Sequence, residues 1–335
     1  MTYEITLDMI QSAGVGALAL VVGMILTHKI NWLQKFCIPS PVSGGIIFSL
    51  LTLAIYKICG IEITFSSTLK DAFMLAFFTS VGFQSNPKVL RQGGSTLGVM
   101  LLLLVFIICM QNVVPLTIAT LMGINPLVGM ATGSISMAGG HGTAGGFSTV
   151  LEGMGLNGAL TISMSAATFG LIAGSVIGGP VAEKLIHKKL KSISTQPKDY
   201  TINPAMAGFE SNESLPTGHQ QHVSDNEQEF QQYARATYAL LIVMGLGTLV
   251  SYLLSLTGIT FPTYFGALIL AALVRTIAEY TNKAHLLEMD RIVSVGNICL
   301  SVFLGMAMIS LKLWELESLA LPLILILLTQ VVLMI

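Results

Sequence analysis

The sequence predicts an all-α polytopic membrane protein built from two inverted-topology five-helix repeats. Three observations predict this fold class: a composition too apolar for a water-facing surface, apolar runs long enough to cross a bilayer, and a resemblance between the two halves of the chain. A re-entrant hairpin is expected within the first repeat, and the second repeat is expected to be incomplete.

The composition predicts that lipid surrounds much of this protein. Of its 335 residues, 53% are hydrophobic and only 10% are charged, whereas a soluble domain carries roughly 25% charged residues. The net charge of −1 argues against a nucleic-acid partner, which would require a basic face. The cysteines lack metal-like spacing and are interpreted as packing residues; they are Cys37, Cys59, Cys109 and Cys299.

Apolar runs divide the chain into membrane spans, since a helix needs about 20 apolar residues to cross a bilayer. The candidate spans are 11–27, 41–58, 95–122, 159–183, 236–256, 262–277, 293–311 and 319–335. The shorter run 72–84 is predicted to cross obliquely or as a broken helix. Glu4 and Asp8 stand where a signal peptide needs positive charge, so the first run is expected to be retained as a span.

A hydrophilic segment at 184–234 separates the halves. It is rich in Pro, Asn, Ser, Gln and Glu and has no apolar periodicity, which predicts a flexible linker. The predicted domains are therefore a first transmembrane repeat at 1–183, a cytoplasmic polar linker at 184–234, and a second, incomplete inverted repeat at 235–335.

The distribution of basic residues predicts the orientation of the chain. If the N-terminus is periplasmic and 126–148 is a hairpin that returns to its own side, most of the 16 Lys and Arg residues lie in the cytoplasm, as the positive-inside rule requires. The cluster from Lys184 to Lys191 follows a span directly. A full crossing by 126–148 would place this cluster outside, so the charges favour the hairpin.

The two halves align weakly with each other. IPSPVSGGIIFSLL at 38–51 matches ITFPTYFGALILAA at 259–272, and LAFFTSVGF at 75–83 matches SVFLGMAMI at 301–309. With an odd number of crossings in each half, the copies would have opposite orientations, as in many secondary transporters. The chain stops within an apolar run, so we expect it to be a fragment or shortened form that lacks the second hairpin.

The segment GSISMAGGHGTAGGFS at 133–148 is the most informative part of the sequence. Each glycine costs about 1 kcal/mol within a helix, and irregular backbone within a bilayer must be buried in protein or line an aqueous cavity. The sequence therefore predicts a short helix at 126–137, an extended turn at 138–146 and a returning helix from 147. The alternative is a close-packed glycine contact between helices.

Such a turn could bind an anion and a small cation together. Amide groups at the start of the returning helix would favour a carboxylate, while freed carbonyls and nearby hydroxyls would suit Na⁺. Candidate Na⁺ ligands are the hairpin carbonyls with Ser136 and Thr143, and the hydroxyl of Ser134 is a further candidate. His141 could carry a proton, donate a hydrogen bond to a solute, or fix the loop.

Three other polar residues lie inside predicted spans and complete the candidate site. Gln111 and Asn112 precede the hairpin by half a span, and Asn297 lies in 293–311. Each could join helix to helix or face the hairpin. Because no acidic residue lies in the middle of a predicted span, coupling to Na⁺ through neutral oxygens is favoured over a carboxylate proton relay.

These motifs closely resemble the bacterial glutamate:sodium symporters (GltS type) over nearly the whole chain outside the linker. The resemblance rests on the hairpin together with IPSPVSGG at 38–45, DAFMLAFFTSVGFQSN at 71–86, ATFGLIAGSVIGGPVAE at 167–183 and SVFLGMAMISLKLWELESLALP at 301–322. It implies a re-entrant loop in each half, a homodimer in the inner membrane, and Na⁺-driven uptake of L-glutamate without a cofactor. The re-entrant motif of the family maps onto Gly139, Gly140, His141, Gly142 and Thr143.

The sequence leaves three other functional classes to consider, of which a channel fits inverted repeats less well than a carrier does. A carrier for another small carboxylate, such as aspartate or a citrate-like solute, driven by sodium or protons, would use the same hairpin chemistry. An intramembrane enzyme has no support, because the sequence contains no GxSxG, no HExxH and no pair of intramembrane carboxylates.

Overall fold

The computed structural model describes residues 3–36, 38–85, 87, 94–189, 221–256 and 261–334. The first half contains β1 (Tyr3–Leu7), α1 (Met9–Lys29), α2 (Asn31–Lys35), α3 (Ser40–Cys59), β2 (Ile61–Phe65), α4 (Thr68–Phe83), α5 (Gly94–Leu121), α6 (Pro126–Thr132), α7 (Ser134–Met137), α8 (Gly140–Gly153) and α9 (Ala159–Lys189). The second half contains α10 (Gln221–Ser255), α11 (Phe265–Tyr280), α12 (Met289–Ile309) and α13 (Ala320–Met334), with short 3₁₀ helices at Ala284–Leu286 and Leu313–Leu319.

The prediction of an all-α polytopic membrane protein is confirmed. Within the described residues, six helices are long and apolar enough to cross a membrane: α1, α3, α5, α9, α10 and α12, each over most of its length. Helices α4 and α11 have 16 residues each and α13 has 15. They coincide with the predicted oblique run 72–84 and with the candidate spans 262–277 and 319–335.

Two short strands were not predicted from the sequence. Strands β1 and β2 pair in parallel, with Tyr3 opposite Ile61 and Leu7 opposite Phe65. The strand before α1 lies beside the strand after α3. The chain therefore runs away from one face of the protein along α1 and returns to the same face along α3. Lys312 forms an ion pair of 2.6 Å with Glu62 beside this sheet, and that hydrogen bond raises the pKa of Lys312 above its ordinary value.

The helices pack into two groups. The first group contains α1, α3, α4, α10, α11 and α12, and the second contains α5, α6, α7, α8, α9 and α13. Helix α12 is central to the first group, since it packs on α1, α3, α4 and α10 and buries large side chains along its length, among them Ile292 and Phe303. The two groups meet where α8 and α9 pack against the aromatic side chains of the first group.

Packing in the first group is similar in the two halves of the chain. Helix α3 packs on α1 and α12, while α11 packs on α10 and α4. Both pairs approach at glycine: a Cβ on Gly44 would collide with the carbonyl oxygen of Ala19, and one on Gly266 with that of Gly247. These contacts relate α1, α3 and α4 to α10, α11 and α12. The inverted-topology repeat itself stays a prediction, which the similarity supports.

The linker and the domain boundaries also stay predictions. Helix α9 ends at Lys189 and α10 begins at Gln221, so both helices extend into the predicted linker at 184–234, and residues 190–220 lie outside the described residues. The N-terminal part of α10 is held by α12. Arg291 on α12 forms an ion pair of 3.3 Å with Glu229 on α10, and its guanidinium lies 4.7 Å from the centroid of the Tyr233 ring.

Candidate solute and cation site

The glycine-rich segment forms a pair of broken helices whose two ends lie side by side. Asn125 accepts a hydrogen bond from the backbone N–H of Leu127 at 3.0 Å and so begins α6. Its Nδ2 also donates to the carbonyl of Gly155, just beyond the end of α8, at 3.4 Å. The start and the end of the segment 126–153 therefore lie next to each other, and α6, α7 and α8 make up the chain between these two ends.

The first break in this segment is at Gly133, where α6 ends and α7 begins. Gly133 lies so close to α5 that an added Cβ would be 2.6 Å from the Gln111 carbonyl oxygen and 2.8 Å from Asn112 Oδ1. Asn112 Oδ1 accepts hydrogen bonds from the N–H of Ser134 at 3.1 Å and from its hydroxyl at 2.9 Å. Asn112 therefore caps α7 and connects the break between α6 and α7 to α5 by hydrogen bonds.

The second break is at Gly139–Gly140. Gly140 has a φ of 71°, a left-handed conformation that glycine adopts without strain, and a Cβ there would meet open space. Ala138 and Gly139 are exposed. Among the described residues, no side-chain hydrogen bond caps α8, so its first amide groups are available to a ligand.

The predicted extended turn at 138–146 is wrong, because α8 is helical from Gly140 onward. The helical cost of its glycines is offset by tertiary packing. An added Cβ would collide with the Phe303 ring at Gly145 and with the Tyr264 ring at Gly146. Only glycine lets α8 approach these rings, so the glycines are needed for close packing here rather than for an extended backbone.

The rings facing α8 form an aromatic cluster made of Phe78, Tyr264 and Phe303. The Phe78 and Tyr264 rings are stacked, with centroids 3.7 Å apart. All three side chains are buried, and Phe303 is fully buried. They come from α4, the start of α11 and α12, which are distant in sequence. Nothing in the sequence other than small residues in α8 indicated these partners.

The hydroxyl groups of the segment connect its short helices to one another. Ser136 Oγ donates to the Ala131 carbonyl at 2.5 Å, which joins α7 to α6. Thr143 Oγ1 donates to the Ile135 carbonyl at 2.7 Å, which joins α8 to α7. The hydroxyl hydrogens of both residues are therefore engaged, while their oxygen lone pairs can still accept a cation.

His141 is 8% exposed and lies next to α9. Its Nε2 is 3.0 Å from Thr168 Oγ1, and Thr168 Oγ1 donates its single hydrogen to the Met164 carbonyl at 2.9 Å. The hydroxyl of Thr168 must then accept from Nε2–H, so this nitrogen carries the imidazole hydrogen. This geometry favours the role of His141 in fixing the segment, one of the three roles that the sequence left open.

The structure brings most of the predicted site residues together, with two exceptions. Gln111 Nε2 is directed to Met334 on α13, although the Gln111 backbone lies against Gly133. Asn297 is exposed on α12, and the described contacts do not join it to the hairpin. The contiguous candidate site consists of Asn112, Ser134, Ser136, Gly139, Gly140, His141, Gly142 and Thr143.

A groove of 320 Å³ lies between this segment and α5. It is lined mainly by apolar residues, together with Ser134 and Thr143. The lining residues are Leu104, Ile108, Ser134, Ile135, Ala138, Gly139, Thr143 and Phe147. Within the described residues no cluster of three or more His, Cys, Asp or Glu could hold a metal ion. The cation ligands available at this place are neutral oxygens, which suit Na⁺ at unwound backbone.

Comparison with known proteins gives the family of the chain. The sodium/glutamate symporter family matches residues 5–335. The chain is 35% identical over 330 residues to the sodium/glutamate symporters of Escherichia coli (strain K12) and Shigella flexneri, covering 98% of this chain and 78% of each relative. It is 31% identical to that of Haemophilus influenzae over 331 residues, with the same coverage. No solved structure matches the chain significantly. The chain therefore belongs to the sodium/glutamate symporter family, whose members are membrane transporters rather than enzymes, as the sequence predicted.

Proposed function

We propose that this protein imports L-glutamate together with Na⁺ across the bacterial inner membrane by alternating access. The observation that carries the proposal is the doubly broken segment 126–153, whose second break at Gly139–Gly140 leaves the first amide groups of α8 without a side-chain cap. The relatives are named sodium/glutamate symporters, which supports both the solute and the coupling ion.

The start of α8 is the proposed binding place for a carboxylate of the solute. The uncapped N-terminus of a 14-residue helix presents free N–H groups and the positive end of the helix dipole. The amides of Gly140, His141 and Gly142 are the proposed donors. Glycine at 139, 140 and 142 lets a solute approach the backbone closely, because these positions carry no side chain.

Neutral oxygens around the two breaks are the proposed Na⁺ ligands. They are the hairpin carbonyls with the hydroxyl oxygens of Ser136 and Thr143. Both hydroxyls donate to carbonyls of the preceding short helix, so their lone pairs point away from those carbonyls. Binding of Na⁺ here would draw α7 and α8 together and so favour one conformation of the hairpin.

The division into two helix groups supports alternating access. The glycine face of α8 contacts the aromatic cluster of the first group, where the rings of Tyr264 and Phe303 pack directly on Gly146 and Gly145. A smooth contact between a glycine face and flat rings can shift without breaking hydrogen bonds. We propose that the two groups move relative to each other at this contact.

The larger assembly is also proposed. The N-terminus is periplasmic and the linker is cytoplasmic, the two halves are inverted repeats, and the protein is a homodimer within the lipid bilayer. Helix α5 supports contact with lipid or a second copy, because residues 99–107 are exposed apolar side chains without a break.

Uptake into proteoliposomes tests this function. Under an inward Na⁺ gradient, labelled L-glutamate should accumulate well above the level reached with K⁺, and a pH gradient alone should not support accumulation. Aspartate and citrate are added as competitors. Equal uptake from a pH gradient would contradict sodium coupling, and inhibition by citrate but not by aspartate would favour the alternative carboxylate carrier.

A further inference from the structure

Gln330 is a buried polar residue in the apolar helix α13. Its side chain is 1% exposed, and a polar group buried in an apolar environment is costly unless it is hydrogen-bonded. Its Nε2 donates to the backbone carbonyl of Gln111 on α5 at 2.9 Å. The sequence had given no role to this residue.

The carbonyl that Gln330 contacts lacks its ordinary helical partner. In an α-helix, the carbonyl of residue 111 accepts from the N–H of residue 115. Residue 115 is Pro115, which lies inside α5 and has no N–H. The side-chain amide of Gln330 therefore supplies the hydrogen bond that the proline removes.

The same place in α5 holds the first break of the hairpin. The Gln111 carbonyl lies against Gly133, and the next residue, Asn112, caps α7 through Ser134. The chain of contacts from α13 to the hairpin is thus Gln330 to the Gln111 carbonyl, then Asn112 to Ser134. Any change in the backbone direction at Gln111 would be transmitted to the break.

We propose that Gln330 is a positioning residue for transport: by replacing the hydrogen bond that Pro115 removes, it fixes the α5 backbone that holds the hairpin break. The orientation of the amide is determined by this contact, because the opposite orientation would place the Gln330 and Gln111 oxygens together. Among the described residues the Oε1 of Gln330 has no hydrogen-bond partner, so Nε2 carries the interaction. The inference rests on the proposed function and adds a residue to it.

A rescue experiment tests this role. Gln330→Leu should raise the KM for glutamate about tenfold, since a buried hydrogen bond is lost, with an unchanged amount of protein in the membrane. Pro115→Ala restores an N–H at residue 115, so adding it to Gln330→Leu should recover most of the KM. Thr329→Val is the matched control, because in the described part of the chain the Thr329 hydroxyl bonds only within its own helix, to the Leu325 carbonyl. The KM of this variant should equal that of the wild type.

Each outcome has a defined meaning. An unchanged KM in Gln330→Leu would overturn the proposal, and so would a raised KM that Pro115→Ala leaves unrelieved. If the wild-type protein takes up no glutamate, the proposed function fails, but the inference is still tested by thermal unfolding. In that case Gln330→Leu should lower the Tm and Pro115→Ala should restore it, and a Tm that Pro115→Ala does not restore would overturn the positioning role.

Discussion

Sodium-driven glutamate uptake should fall at least tenfold when Gly145 is replaced by valine. The added side chain would collide with the Phe303 ring and lie 3.1 Å from Met164 Cε at its first atom. Overpacking of this kind typically costs about 1–3 kcal/mol, and a barrier raised by about 1.4 kcal/mol slows a reaction tenfold. The contact lies between the two helix groups, so the expected effect is on transport as well as on stability. Initial uptake rates per amount of membrane protein measure it.

Gly153→Ala is the matched control for this experiment. Gly153 lies in the same helix but outside the proposed binding place, and a Cβ there would meet no described atom within 4 Å. Its uptake should stay within about twofold of the wild type, because helical alanine is also favoured over glycine by about 1 kcal/mol. Equal uptake in Gly145→Val and Gly153→Ala would show that the aromatic contact does not matter for transport.

Asn112→Leu should produce the second large loss of uptake. Leucine has a similar size but cannot accept the hydrogen bonds from the N–H and the hydroxyl of Ser134. Leaving a partly buried donor unsatisfied costs up to about 1–3 kcal/mol, and the cap of α7 is lost at the break of the hairpin. We expect uptake to fall roughly tenfold or more, with a higher KM for both glutamate and Na⁺.

Thr117→Val provides the comparison for Asn112→Leu. Thr117 lies on the same helix, and among the described residues its hydroxyl bonds to the Val113 carbonyl of that helix alone, so uptake should be unchanged. A restoration of uptake in Asn112→Asp, which keeps an Oδ1 acceptor, would assign the loss to the cap itself. Normal uptake in Asn112→Leu would instead mean that the first break needs no connection to α5.

The sequence predicted the spans and the place of the broken segment because both depend on local composition. Apolar length located α1, α3, α5, α9, α10 and α12, and glycine density located the broken segment at 126–148, within the observed 126–153. The conformation of α8 was predicted wrongly. Glycine has a poor intrinsic helix propensity, but the rings of Tyr264 and Phe303 stabilise this helix through contacts that no local pattern reveals.

Among the polar residues, too, roles that depend on nearby sequence could be predicted, whereas roles that depend on long-range contacts could not. Asn112 was expected near the hairpin from its position half a span earlier, and it caps Ser134 there. The role of Gln330 depends on a proline more than 200 residues away in the chain, so it could be recognised only when α5 and α13 were seen together. The paired strands also require this kind of long-range contact, because β1 is completed by residues that follow α3.

Aqueous labelling of the hairpin tip shows directly whether the broken backbone within the membrane opens to water and solute. The protein would carry Ala138→Cys, with its four native cysteines replaced by serine, and Leu102→Cys, 70% exposed on α5, serves as the lipid-facing control. We expect a polar maleimide to modify residue 138 but not residue 102, and we expect Na⁺ with glutamate to slow this modification several-fold. Residue 138 as unreactive as residue 102 from both sides of the membrane would contradict this expectation.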